Sequence, residues 1–109
     1  MRIWDISPKK LCRNHLLGEH REIHAMWAVI TEKKKGYSKH PETLRWVGKL
    51  NAMYSRHEDL VEEMINRGYR HKSPLDKRKA VGKSKQDVFV DSPSRQIQIL
   101  KQKGCNCII

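Results

Sequence analysis

Apolar residues recur along the first third of the chain with a helical period. Cys12, Leu16, Ile23, Trp27 and Ile30 fall on one stripe of a 3.6-residue repeat, which marks them as the core face of an amphipathic helix. Ser7-Pro8 stands ahead of them, an N-cap residue followed by the imino acid whose fixed φ suits the first helical position. A helix from Pro8 to Thr31 is therefore predicted, with Gly18 inside it at a cost of about 1 kcal/mol. Pro41 opens a second helix and Gly68 closes it, the residues suited to those two ends. Val47, Leu50, Tyr54, Val61, Met64 and Ile65 form its expected buried stripe, with Trp46 and Met53 at the margin. Residues 70–85 are polar and basic and read as a surface loop, and 87–90 as a brief extended stretch. Ser92-Pro93 repeats the cap-and-proline device, and Ile97 with Leu100 gives a short third helix ending at Gly104. The predicted fold is all-α. One compact domain over 1–109 holds two long helices, packed as an antiparallel or crossed pair, and a shorter C-terminal helix. Basic loops connect them, and residues 85–109 form a peripheral segment.

Charge adds a partner to this picture. The 109 residues carry 23 Lys and Arg against 12 Asp and Glu, a formal charge of +11. This exceeds what solubility needs, and a phosphate-rich partner explains why the self-repulsion is tolerated. Lys33, Lys34, Lys35 and Lys39 are interleaved with Tyr37 and His40. Such a run is either a solvated link or a track along a sugar-phosphate backbone. Arg45, Lys49 and Arg56 on the second helix supply further charge for the flanking strand.

Other features narrow the class. A charged leader with an apolar stretch behind it is not seen, nor is a run of 18 apolar residues, so neither secretion nor a membrane span is expected. Cys12, Cys105 and Cys107 are too few for a disulfide framework, and a reducing cytoplasm is the expected compartment. Cys105-x-Cys107 with a distant Cys12 falls short of a four-ligand zinc set. His20 and His24 have the i, i+4 spacing of a metal pair, but the intervening glutamate is Glu22, one place off the zinc-peptidase motif. No metal is expected on these grounds.

The stretch from His15 to His24 is the densest in ionisable groups. His15 and Glu22 are two turns apart and share a face, so a carboxylate there can act as a general base or steady a developing cation. Equally, Glu19 and Glu22 can be ordinary solvent-facing residues offset by Arg21. At the N-terminus, bulky Arg2 favours retention of Met1. The α-amine titrates near 7.7 to 8.0, and a nearby cation such as Arg2 or Arg21 raises its neutral fraction. Trp4 is either a core plug or a wall of a site beside that amine.

Taken together, Met1-Arg2-Ile3, His15-Leu16 and Arg21-Glu22 resemble the N-terminal signature of the phage pyrimidine-dimer DNA glycosylase family, the endonuclease V type of phage. The similarity continues through Arg56-His57-Glu58 and Asn66-Arg67-Gly68-Tyr69. The resemblance implies a DNA glycosylase with an associated abasic-site lyase, acting on cyclobutane pyrimidine dimers in UV-damaged duplex DNA. Its nucleophile would be the α-amine of Met1, where the family has a threonine exposed by methionine removal, and its catalytic carboxylate would be Glu22. Arg2, Arg21 and His15 would hold phosphates and the lesion strand. A family arginine just after the glutamate aligns with Ala25, leaving His24 or His20 to replace it. The aromatic, basic C-terminal tail of the larger phage enzyme has no counterpart.

Imine chemistry needs no metal or organic cofactor. The expected partner is damaged double-stranded DNA, met by a monomer in a bacterial nucleoid or a virus-infected cell. Competing readings are a noncatalytic basic helical nucleic-acid-binding protein, a glycosylase and lyase for another damaged base, and a structural or regulatory partner of RNA or another acidic surface.

Overall fold

A computed structural model describes residues 2–36, 38–71 and 73–108. The Met1 amine and the Tyr37 side chain lie outside the described residues. The fold is all-α and compact: α1 spans Arg13–Thr31, α2 Pro41–Leu44, α3 Leu50–Asn66 and α4 Pro93–Gln102. Short 3-10 turns occur at Pro8–Lys10 and Lys77–Lys79, and among the described residues an isolated bridge between Lys49 and Gly82 takes the place of any sheet. Among the described residues, no helix is long and apolar enough to cross a membrane.

The first predicted helix is broken near its start. Leu11 and Cys12 are extended, with ψ of 138° and 169°, so α1 begins at Arg13 rather than Pro8. The cause is tertiary: the Arg67 guanidinium, reaching from the end of α3, donates to the carbonyls of Pro8 and Leu11 at 3.2 and 2.6 Å. The break also turns Leu11 inward, where it is buried. Along α1 the expected stripe is correct at Leu16, Ile23 and Trp27, but Met26, Glu19 and His20 are buried as well.

The second predicted helix is likewise two elements. Gly48 has φ +77°, which helical backbone does not allow, and the chain turns through residues 45–49 before α3 starts. That turn exposes Val47 and sinks Trp46 and Met53 into the core, reversing their expected places; Ile65 is also exposed. α3 has no side-chain N-cap. Its first free amides, Asn51 and Ala52, instead donate to the carbonyls of Val81 and Lys83 at 2.9 and 3.1 Å, satisfying groups that a helix start leaves open. Gly68 ends α3 as expected, at φ +84° with the Tyr69 amide returning to the Met64 carbonyl at 2.9 Å, a Schellman closure.

α1 and α3 pack against each other around Leu16, Ile23, Met26, Met53 and Leu60, all essentially without exposure. α4 is capped by the Ser92 side chain accepting from the Arg95 amide, as Ser-Pro predicted. It is not merely laid on the surface, because Leu100 and Gln96 are both buried.

Candidate active site beside the N-terminal segment

Residues 2–7 run without regular structure, yet Ile3, Trp4 and Ile6 are buried. Buried backbone polar groups need partners, and here they come from side chains of all four α-helices and of Arg45, the residue that follows α2. The Ile3 amide donates to Glu42 Oε1 of α2 at 3.0 Å, the Trp4 amide to Glu19 Oε1 of α1 at 3.0 Å, and the Asp5 amide to Gln96 Oε1 of α4 at 2.7 Å. On the acceptor side, the Ile3 carbonyl takes Arg45 Nη2 at 2.9 Å and the Ile6 carbonyl takes Arg56 Nη1 at 2.8 Å. These contacts explain why Glu19, Glu42, Arg45 and Gln96 are buried despite their polarity.

The clamping residues also satisfy each other. Arg56 grips Glu19 through two bonds, Nε to Oε2 at 2.7 Å and Nη2 to Oε1 at 3.0 Å, with Glu19 having no exposed side-chain surface. Burial raises the Glu19 pKa, opposed by the Arg56 charge and the Trp4 amide. Arg45 donates to Glu42 at 2.7 Å and to Asp5 at 2.8 Å and stacks 4.8 Å from the Trp46 ring. Burial alone would lower its pKa, and the carboxylates of Glu42 and Asp5 more than offset it.

Threaded in this way, the segment ends at a cleft of about 350 Å³ whose walls include Arg2, Trp4, His15, Gly18 and Glu22. Trp4 is both core and wall, since it is buried and lines the cleft. It meets His15 edge-on at 5.7 Å and lies 5.2 Å beneath the Arg2 guanidinium. Arg2 is steered by Asp91 at 2.9 Å. Burial and then the Lys103 charge hold the His15 pKa below its ordinary value. Glu22 is half-buried on the same wall, and among the described residues no ion pair engages it. Ile99 and Lys103 of the C-terminal region complete the rim.

Of the expected DNA-binding residues, Arg2 and His15 thus meet at the cleft with Glu22. Arg21, Lys33, Lys35 and Lys39 are exposed, and Lys34 is exposed while paired with Glu32 at 3.2 Å. Arg45 and Arg56 are committed to the clamp, and Lys49 is buried with its Nζ on Gln86 at 2.8 Å and Asp87 at 3.3 Å. His24 is half-buried and faces His57, Nε2 to Nε2 at 3.3 Å.

Two donor clusters escaped the sequence reading. Cys12, His15, Cys105 and Cys107 form one set able to hold a metal, and His20, His24, His57 and His71 form another. The metal-free expectation counted three cysteines and two histidines by spacing, and nothing in spacing joins His15 to the tail or brings His57 and His71 to α1. Glu19 and Gln96 were missed for the same reason. Their only signal was polarity on a helix face that the apolar stripe nearly encloses.

With this geometry in view, residues 1–77 match the family model described as pyrimidine dimer DNA glycosylase. No curated protein and no solved structure matches the chain.

Proposed function

Because the chain belongs to the pyrimidine dimer DNA glycosylase family, we propose that it is a DNA glycosylase and abasic-site lyase whose nucleophile is the N-terminal amine of Met1 and whose catalytic carboxylate is Glu22. The observation that carries the reading is the clamp on residues 3–6. It holds residues 2–6, which follow the proposed nucleophile in sequence, against the cleft that Glu22 lines, an arrangement that a nucleophilic α-amine would use and a binding protein would not need. Holding a nucleophile in register with its target replaces a costly encounter by a preorganised one.

In this mechanism the neutral amine attacks C1′ of the damaged nucleotide, and the glycosidic bond breaks with its electron pair leaving on the base. Opening of the sugar gives a protonated imine between enzyme and deoxyribose. The Glu22 side chain, placed beside that imine, stabilises its charge and accepts the C2′ proton, whose bonding pair then expels the 3′ phosphate. Arg2, held over Trp4, offers a phosphate contact. Access to C1′ requires a kinked duplex and a displaced nucleotide, and a lesion that already weakens pairing lowers that cost. Cyclobutane pyrimidine dimers in UV-damaged DNA are the substrate that the family points to, with exposed Arg21, Lys33, Lys35 and Lys39 on the flanking backbone.

Borohydride trapping on two duplexes, one with a cyclobutane dimer and one with a plain abasic site, tests this directly, with mass spectrometry to locate the adduct. A Met1 adduct on the dimer establishes glycosylase and nucleophile together. An adduct on the abasic duplex alone keeps the lyase and reassigns the base, and no adduct on either removes the catalytic reading. Glu22→Gln should lower trapping and cleavage by about 10²- to 10⁴-fold while sparing DNA affinity; unchanged cleavage would exclude Glu22.

A further inference from the structure

Cys12, His15, Cys105 and Cys107 bring four donor atoms within 4.8 Å of one another. Cys12 Sγ lies 3.0 Å and Cys107 Sγ 3.4 Å from the same nitrogen, His15 Nδ1. The Cys12 amide donates to Cys107 Sγ at 3.1 Å. A tetrahedral zinc with bonds of about 2.3 Å to sulfur and 2.0 Å to nitrogen keeps its donors about 3.5 to 3.8 Å apart, so an ion enters with shifts of only a few tenths of an ångström at those two pairs. We propose that these four side chains form a Cys3His zinc site that staples the C-terminal segment onto the start of α1. Two of the ligands, Cys105 and Cys107, lie beyond the residues 1–77 that match the family. The Ile108 amide reaches the Lys10 carbonyl at 2.7 Å, so the tail already lies along the turn that precedes α1. A surface hollow of about 810 Å³, lined by Cys12, His15 and Cys105 among others, gives an ion its path in.

Cobalt(II) is the probe, added to the whole chain stripped of metal under reducing conditions. The expected result is thiolate-to-cobalt charge-transfer absorption that saturates at one equivalent, is displaced by one equivalent of zinc, and is weakened or lost in Cys107→Ser. Hydrogen exchange of residues 104–108 should slow when zinc is added. If the reduced wild-type chain develops no charge-transfer absorption, or if two of the three thiols are found as a disulfide in zinc-free protein, the site does not exist. Neither readout depends on repair activity or on a variant folding well.

A second site rests on separate residues. His20 and His24 of α1, His57 of α3 and His71 of the following segment also bring their donor nitrogens within 4.8 Å of one another. The Nε2 atoms meet in pairs, His24 with His57 at 3.3 Å and His20 with His71 at 3.1 Å. His57 has no exposure and its Nδ1 lies 3.0 Å from the Glu58 carboxylate, the orienting arrangement typical of ligating histidines. His71 Nε2 also lies 2.8 Å from the Ser73 carbonyl, a contact that ligation would replace. We infer that this cluster binds a second zinc through four neutral imidazoles, a donor set that suits that ion. Zinc content by elemental analysis should then be two per chain in wild type, one in Cys107→Ser and one in His71→Ala, whose mutated side chain comes from a surface segment. A His71→Ala chain that still holds two, or a wild type that holds one with the cobalt-thiolate bands intact, would overturn the histidine site and leave the cysteine site standing.

Discussion

Glu19 and Glu22 stand one helical turn apart on α1 yet meet different surroundings. Glu19 is sealed under the N-terminal segment and gripped by Arg56, whereas Glu22 borders an open cleft. Removing one partner of a buried ion pair strands the other charge, at a cost of about 3 to 5 kcal/mol. Arg56→Met should therefore lower stability by that amount in urea denaturation, and a loss under about 1 kcal/mol would mean that Glu19 is not truly sequestered. Glu22→Gln, at a half-exposed position, should unfold within about 0.5 kcal/mol of wild type. The pair of measurements separates a residue that builds the site from one proposed to work in it. Arg45 belongs with Arg56: its guanidinium binds Glu42, Asp5 and the Ile3 carbonyl, leaving little with which to hold a phosphate.

At the scale of elements, the start of α3 depends on a distant segment rather than on its own cap. Val81 and Lys83 carbonyls receive its first amides, and the Lys83 amide returns to the Gly48 carbonyl at 3.0 Å. Between them Gly82 sits at φ +87°, where an added Cβ would fall 2.2 Å from the Gly48 oxygen. Gly82→Ala must therefore push backbone away as well as adopt a left-handed conformation, and a loss of at least about 2 kcal/mol is expected. Gly48→Ala meets open space at φ +77° and should cost only the conformational term, about 1 to 2 kcal/mol. Comparing the two variants in thermal unfolding checks the argument; equal losses would show that close approach at Gly82 contributes nothing.

For the molecule as a whole, net charge and its placement make different predictions. The chain's +11 should make DNA affinity fall steeply with salt. Each lost phosphate contact should flatten the log-log slope by about 0.9. Lys33→Ala and Lys35→Ala, at exposed positions, should each reduce that slope without changing stability, measured by fluorescence anisotropy on an undamaged duplex. Lys49→Ala should leave the slope nearly unchanged, since its ammonium is held by Gln86 and Asp87. A slope that none of these lysines alters would place the DNA on another face.

Much of this was legible in the chain itself. A first helix ending at Thr31, the closure at Gly68 and the Ser92-Pro93 start of α4 follow from periodicity and capping chemistry, which are local, whereas the helix start expected at Pro8 did not survive the tertiary arrangement. The family could be read from Arg2, His15, Arg21 and Glu22, and it is borne out by the match over residues 1–77. Gly48 inside the predicted second helix was a visible hint of the turn that the structure contains. Other outcomes were decided only when distant groups met. The early break at Leu11 needs the Arg67 guanidinium, the inward turn of Trp46 comes with the left-handed Gly48 and the Arg45 guanidinium stacked on its ring, and the burial of Glu19, Glu42 and Gln96 needs an N-terminal segment with amides to satisfy. The Cys3His and four-histidine clusters are the clearest instances, since their members are scattered from Cys12 to Cys107. Sequence spacing determines which face of a helix a donor occupies; only the packed fold determines which donors share a point in space.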